Sequence, residues 1–214
     1  DLGLSKSIAG SDITVYVDGV LSTGAGTEGD KVSTGIVKGE VSKKLGGNGI
    51  LTEVFYDDDA NTAIITEVKT YIGEIAAAYK ATSARDAYVT LKGTDNTGLG
   101  STYETDDTFA VDSKVLYTYS GKDGEHCVES MEAAKSVTGT LTAYTLQKDV
   151  TVGGTKYDAN KASEAEILNM SQTVDKGTDV TAYLDANGYA LYIDADTNDE
   201  YAVILDYAAP YGLN

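Results

Sequence analysis

The chain has 214 residues, with 16 Lys and Arg against 34 Asp and Glu, a formal charge of −18. That balance excludes a nucleic-acid binder, which needs clustered cations to neutralise phosphate, and it sets the chain against an anionic membrane surface. With 42% hydrophobic residues, 23 Gly, 16 Tyr, a single Pro and no Trp, the composition supports packed cores and reads as β-formers punctuated by glycine, an all-β class.

In chain order, DLGLSKSIAG lacks the basic start and apolar stretch of a signal peptide and reads as a mature or excised end. DITVYVDG (12–19) is a first β-segment. GAGTEGDK (24–31) is a near miss to a phosphate-binding loop: Asp30 stands where the lysine belongs, so a flexible surface loop is expected. Residues 51–68 form a hairpin pattern broken by the acidic run 57–61. IGEIAAAY (72–79) and AYVTLKGT (87–94) follow, then a second hairpin at 115–130 with Asp123 and Gly124 at its turn. TGTLTAYT (138–145) and DVTVGGT (149–155) repeat the earlier pair. The best helix candidate is ASEAEILNM, with Ser163 and Glu166 as a capping box. A third hairpin at 180–194 turns on Asn187 and Gly188, and YAVILDYAAP closes the pattern with one more apolar strand. No stretch reaches the roughly 18 apolar residues of a membrane helix, so a soluble chain without membrane insertion is expected.

The elements recur in one order. Pairing Gly73 with Gly139, Tyr79 with Tyr144, Val89 with Val150, Val115 with Val180 and Gly124 with Gly188 gives spacings of 61 to 66 residues, a degenerate tandem repeat. Three small barrel-like or sandwich-like β-modules with hairpins and very little helix are predicted: a divergent one at 1–71, a second at 72–137 and a third at 138–214. The three hairpins are expected to be equivalent elements of these modules. The third module ends in a strand (201–207) belonging to a further unit or to an assembly contact.

VTAYLDANGYALYID followed by YAVILDY, and SVTGTLTAYTLQKDVTVGGTKYD, resemble the β-rich modules of S-layer-homology-domain-containing surface proteins of Gram-positive anaerobes. The resemblance spans residues 72–207 and rests on a hairpin grammar rather than on a catalytic motif. It implies a secreted, wall-associated structural protein. No segment resembles the wall-anchoring S-layer homology repeat itself, so the resemblance does not carry direct polysaccharide binding to this chain.

Nucleophilic catalysis fails on geometry: the single His, His126, is adjacent to the single Cys, Cys127, and neighbouring strand side chains point to opposite faces. Sixteen tyrosines could line a sugar-binding face, though their alternation suits half-buried sheet positions. The surviving chemistry is metal ligation. Asp57, Asp59 and Asn61 fit DxDxN, as do Asp194, Asp196 and Asn198 with Glu200 beyond, and hard oxygens at alternate loop positions suit Ca²⁺. Neither copy has the EF-hand glycine, where Thr62 and Asp199 stand, or its closing glutamate, where Val68 and Leu205 stand. A solvated acidic turn is the competing reading.

These observations predict a non-enzymatic structural component of an extracellular surface layer or filament, located at the cell surface or cell wall. It is expected to self-associate into a homo-oligomer or polymer through β-modules, with Ca²⁺ as the candidate cofactor. The rival readings are an adhesin or carbohydrate-binding surface module contacting wall or surface glycan, and an acid/base hydrolase with a carboxylate pair in a cleft.

Overall fold

The computed structural model describes residues 6–38, 41–92, 102–121, 127–145, 148–163 and 174–195. The terminal strand pattern at 201–207 and most of the ASEAEILNM segment lie outside them. The fold is all-β. Among the described residues helix is confined to single turns: α1 (Glu28–Lys31), α2 (Val41–Lys44) and two 3₁₀ turns. None of these is long and apolar enough to cross a membrane.

Among the described residues fourteen strands form three sheets, each drawn from one stretch of chain. The N-terminal sheet holds β1 (Ile13–Val17), β2 (Val20–Leu21), β3 (Leu51–Asp57) and β4 (Thr62–Val68), in the order β2-β1-β4-β3. The middle sheet holds β5 (Tyr71–Tyr79), β6 (Tyr88–Leu91), β7 (Thr102–Glu104), β8 (Lys114–Ser120) and β9 (Cys127–Ala133), in the order β7-β6-β5-β8-β9. The C-terminal sheet holds β10 (Lys135–Thr145), β11 (Asp149–Val152), β12 (Thr155–Asp158), β13 (Asp179–Leu184) and β14 (Ala190–Ala195), in the order β12-β11-β10-β13-β14. Only Lys69 and Thr70 separate the first sheet from the second, and only Ala134 the second from the third.

Period-two patterning explains the strands. In β4, Ala63, Ile65 and Glu67 turn inward while Thr62 and Ile64 face out; in β13, Val180, Ala182 and Leu184 are buried. Each sheet packs its own apolar core. Val15 and Ile65 anchor the first, Ile75, Val115 and Tyr117 the second, and Leu141, Val180 and Ile193 the third.

The middle and C-terminal sheets share one strand order, advanced by five strands. Their irregularities coincide too. The β5–β6 register slips between Ile75 and Ala77, and the β10–β11 register between Leu141 and Ala143. Gly73 faces Val115 and Gly139 faces Val180. A Cβ on Gly139 would lie 2.8 Å from the Gly153 Cα, so backbone approaches backbone where only glycine fits. In the middle sheet the two edge strands, β7 and β9, approach each other and curl the sheet toward a barrel.

Three expectations need correction. The hairpin at 51–68 is not equivalent to the other two. Its second strand, β4, is the inner one and runs parallel to β1, whereas β8 and β13, the first strands of their hairpins, lie antiparallel to β5 and β10. A parallel pair needs a long crossover. The segment between β2 and β3 supplies it and contributes Val32, Ile36, Val41 and Leu45 to the first core. Tyr144 does not correspond to Tyr79: Ala78 faces Val89 as Tyr144 faces Val150, so Tyr79 corresponds to Thr145 and Tyr88 to Asp149. Lastly, 24–31 is more than a flexible loop. Thr27 caps α1 by accepting from the Asp30 N–H, and Gly29 lies where a Cβ would fall 2.0 Å from the Ser22 carbonyl oxygen.

Candidate functional site

The acidic residues of the first DxDxN sequence share the β3–β4 turn, where one Asp57 oxygen serves the turn itself. Asp57 Oδ1 accepts the N–H groups of Asp59 at 3.0 Å and Ala60 at 2.9 Å, an Asx turn. Asn61, at φ 55°, accepts from the Tyr56 hydroxyl at 2.9 Å and donates to the Ser7 carbonyl at 3.3 Å. Among the described residues no three His, Cys, Asp or Glu side chains converge in a group that could hold a metal ion. Asp194 stands on β14 opposite Thr181, and its charge acts on Lys114. Asp196, Asn198 and Glu200 lie outside the described residues, as does His126. Cys127 is exposed at the start of β9, its thiol 3.1 Å from Glu129 Oε1.

The most structured polar chemistry lies at the joints between sheets, built on carboxylates that look solvated in an acidic sequence. At the first joint Asp18 is buried in the β1–β2 turn, with φ 48°, followed by Gly19 at φ 77°, the backbone of a type I′ turn. Asp18 Oδ1 accepts the Lys69 N–H at 2.9 Å, and Oδ2 accepts the Tyr71 hydroxyl at 2.7 Å. The Asp18 carbonyl accepts the Gly121 N–H at 2.8 Å, so one residue ties the first sheet to the connector and to the β8–β9 turn. Burial raises the Asp18 pKa, although the Lys69 and Tyr71 hydrogen bonds act in the opposite direction. The Tyr71 hydroxyl is raised far above its ordinary value by burial, and then by the carboxylate it faces.

The second joint links the first sheet to the third. Asp185 Oδ1 accepts from the N–H groups of Asn187 at 2.8 Å and Tyr189 at 2.9 Å, while Oδ2 accepts from Asn160 Nδ2 at 2.7 Å. Both side chains are buried. Onto this pair sits the turn before β3: Gly49, at φ 78°, leaves no room for a Cβ, which would fall 1.9 Å from Asn160 Nδ2. The Lys161 N–H donates to the Asn48 carbonyl at 2.9 Å, and the Lys161 ammonium to the Gly46 carbonyl. On the other side of the Gly46 peptide, buried Glu67 accepts its N–H through Oε1.

A third cluster lies where the middle sheet meets β14. Glu74 accepts from Lys92 and, at 2.6 Å, from Lys114, whose ammonium also lies 5.1 Å from the Tyr192 ring centre. Lys114, then Lys92, holds the Glu74 carboxyl below the usual range.

Two clefts among the described residues are poor in reactive groups. One of about 690 Å³ beside β1, lined in part by Ser11, Thr14, Tyr16, Leu21 and Thr23, contains one carboxylate, Asp30, which accepts the Gly26 N–H at 3.0 Å. A smaller one of about 340 Å³ beside β8 and β9 includes Glu132. Neither presents two facing carboxylates in its lining. Against known protein families, curated proteins and solved structures, the chain gives no match.

Proposed function

We propose that the chain is a structural component of an extracellular surface layer or filament, non-catalytic, self-associating through its β-modules. The observation that supports this most directly is the open edge of the N-terminal sheet. β3 ends that sheet, and on its outer face Leu51 is 59% and Phe55 58% exposed, beside Ile64 on β4 at 46%. The same exposed face of β3 carries Glu53 and Asp57, as β9 carries Glu129 and Glu132 and β12 carries Lys156 and Asp158. Charge is the usual guard against edge pairing, so a further strand can add at Leu51 and Phe55 once the Glu53 and Asp57 carboxylates are screened or bound by cations. At −18 per chain, close packing of copies needs screening or bound cations, the role assigned to Ca²⁺ at the acidic turns.

Sedimentation and electron microscopy in EDTA and in millimolar Ca²⁺ test this reading. Assemblies that grow with Ca²⁺ and shrink in Phe55→Asp are expected. A monomer under both conditions would refute it.

A further inference from the structure

The middle sheet carries an aromatic stack that its C-terminal counterpart lacks. Tyr79 and Tyr88 face each other across β5 and β6 with ring centroids 4.5 Å apart and 16° between planes. The Arg85 guanidinium carbon lies 3.6 Å from the Tyr88 ring centre. A guanidinium that close leaves no room for a second ring on the same face. The layers therefore run Arg85, Tyr88, Tyr79, and Tyr79 is the outermost. It is 49% exposed, and β8, which flanks β5 on its other side, pairs with it only from Tyr71 to Glu74.

The repeated architecture provides an internal control. In the C-terminal sheet the equivalent positions are Thr145 and Asp149, with a connection of only 146–148 between β10 and β11 in place of 80–87 between β5 and β6. The same strand order forms around either pair. The stack and the longer loop that delivers Arg85 are therefore additions to a fold that does not need them, and such loop additions are where binding functions concentrate.

We propose that the Tyr79, Tyr88 and Arg85 stack is a carbohydrate-binding platform. The apolar C–H face of a pyranose ring lies on the open face of Tyr79, while Arg85 braces the stack from the far side, on the outer face of Tyr88. The charge pattern selects this ligand class. Nucleic acid would stack equally well on tyrosine, but its phosphates meet a chain of −18. A cationic partner is disfavoured because the 80–87 loop carries Lys80 and Arg85 against the single Asp86, and Arg85 already occupies the outer face of Tyr88. A neutral sugar meets neither obstacle. The inference goes beyond the structural role and does not depend on self-association.

Saturation-transfer NMR with cellohexaose, chitohexaose and mannohexaose tests it, with tetralysine as the cationic probe. At least one hexasaccharide should bind in the millimolar range or tighter. Binding should persist in Tyr79→Phe and weaken about tenfold in Tyr79→Ala, the order expected for one aromatic contact. An unchanged melting temperature in Tyr79→Ala would show that the loss is local, and a shift of the Tyr79 and Tyr88 ring signals in the wild-type chain reports the contact without any variant. Failure of all three sugars to bind overturns the proposal. So does equal binding by Tyr79→Ala, or Tyr79-dependent binding of tetralysine alone.

Discussion

Replacing Gly49 by alanine tests the joint between the first and third sheets, and the structure supplies its own control. At φ 78° an L-residue costs about 1–2 kcal/mol. The added methyl would fall 1.9 Å from Asn160 Nδ2 and 2.4 Å from Asp185 Oδ2. The 2.7 Å bond between those groups must then break, at about 2–3 kcal/mol for a buried hydrogen bond to a charged acceptor. Alternatively the turn lifts away and loses its bonds to Lys161. Gly188→Ala carries the same backbone strain at φ 87° but has nothing within 4 Å of the new carbon. Chemical denaturation of both variants should place Gly49→Ala about 2–3 kcal/mol below Gly188→Ala, the difference isolating the clash. Amide exchange identifies the route: faster exchange at Asn187 and Tyr189 means that Asp185 has moved, whereas faster exchange at Lys161 alone means that the turn has lifted. Equal destabilisation by the two variants would refute the packing argument.

Asp18→Ala leaves the Lys69 N–H and Tyr71 hydroxyl without an acceptor and should cost about 2–4 kcal/mol in a thermal melt, whereas Asp18→Asn keeps an acceptor and should stay near wild type. Because burial raises the Asp18 pKa above 3.8, its protonated form stabilises the fold below that pH and this contribution is lost as pH rises through the raised value; the Asn variant should lack that slope between acid and neutral pH. Glu74 works with the opposite sign. Its pKa is lowered from 4.5, so its stabilisation is present above 4.5 and is lost as pH falls through the lowered value; Glu74→Gln should cost about 1 kcal/mol at neutral pH, half-exposed Lys92 limiting the effect, and nothing in strong acid. Gly139→Ala meets rigid backbone and should cost about 2–3 kcal/mol, while the new carbon of Gly73→Ala lies 3.1 Å from the adjustable end of Leu91 and 3.2 Å from the buried Tyr117 ring and should cost about 1 kcal/mol, both read by denaturant unfolding.

The all-β class was legible because alternation and turn residues are local signals: Asn187 and Gly188 mark the β13–β14 turn as directly as any sequence can. The parallel pairing of β1 with β4 was not legible. It is a contact between residues about fifty positions apart, such as Val15 and Ile65, and alternation says which face is buried but not which neighbour a strand takes. The Tyr79 and Tyr144 mismatch comes from matching residue type: β5 and β10 share the same register slip and keep one spacing on both sides of it, Ile75 to Leu141 as Ala78 to Tyr144, so the two tyrosines stand one place out of step. At the acidic turn, Asp57 followed by amides two and three residues on was a readable Asx turn. The buried roles of Asp18, Asp185 and Glu67 had no comparable signal, since in an acidic sequence a structural carboxylate looks like a solvated one. The Asp18-Gly19 pair was the one available cue, a hairpin turn within a segment read only as a strand.

Among the described strands none of one sheet is borrowed from the stretch that builds another, and the connectors are one and two residues long. A chain entering a compartment from its N-terminus can therefore complete each sheet as soon as that sheet's own strands have emerged, with no edge left waiting for a distant partner. The contact of Gly49 with Asn160 and Asp185 spans the longest stretch, because it joins the first sheet to the third. It closes only once the last hairpin is in place, as does the contact of Lys114 with Tyr192, so the docking of the sheets on one another follows the building of each sheet, and slowed synthesis should leave the individual sheets intact while delaying those contacts.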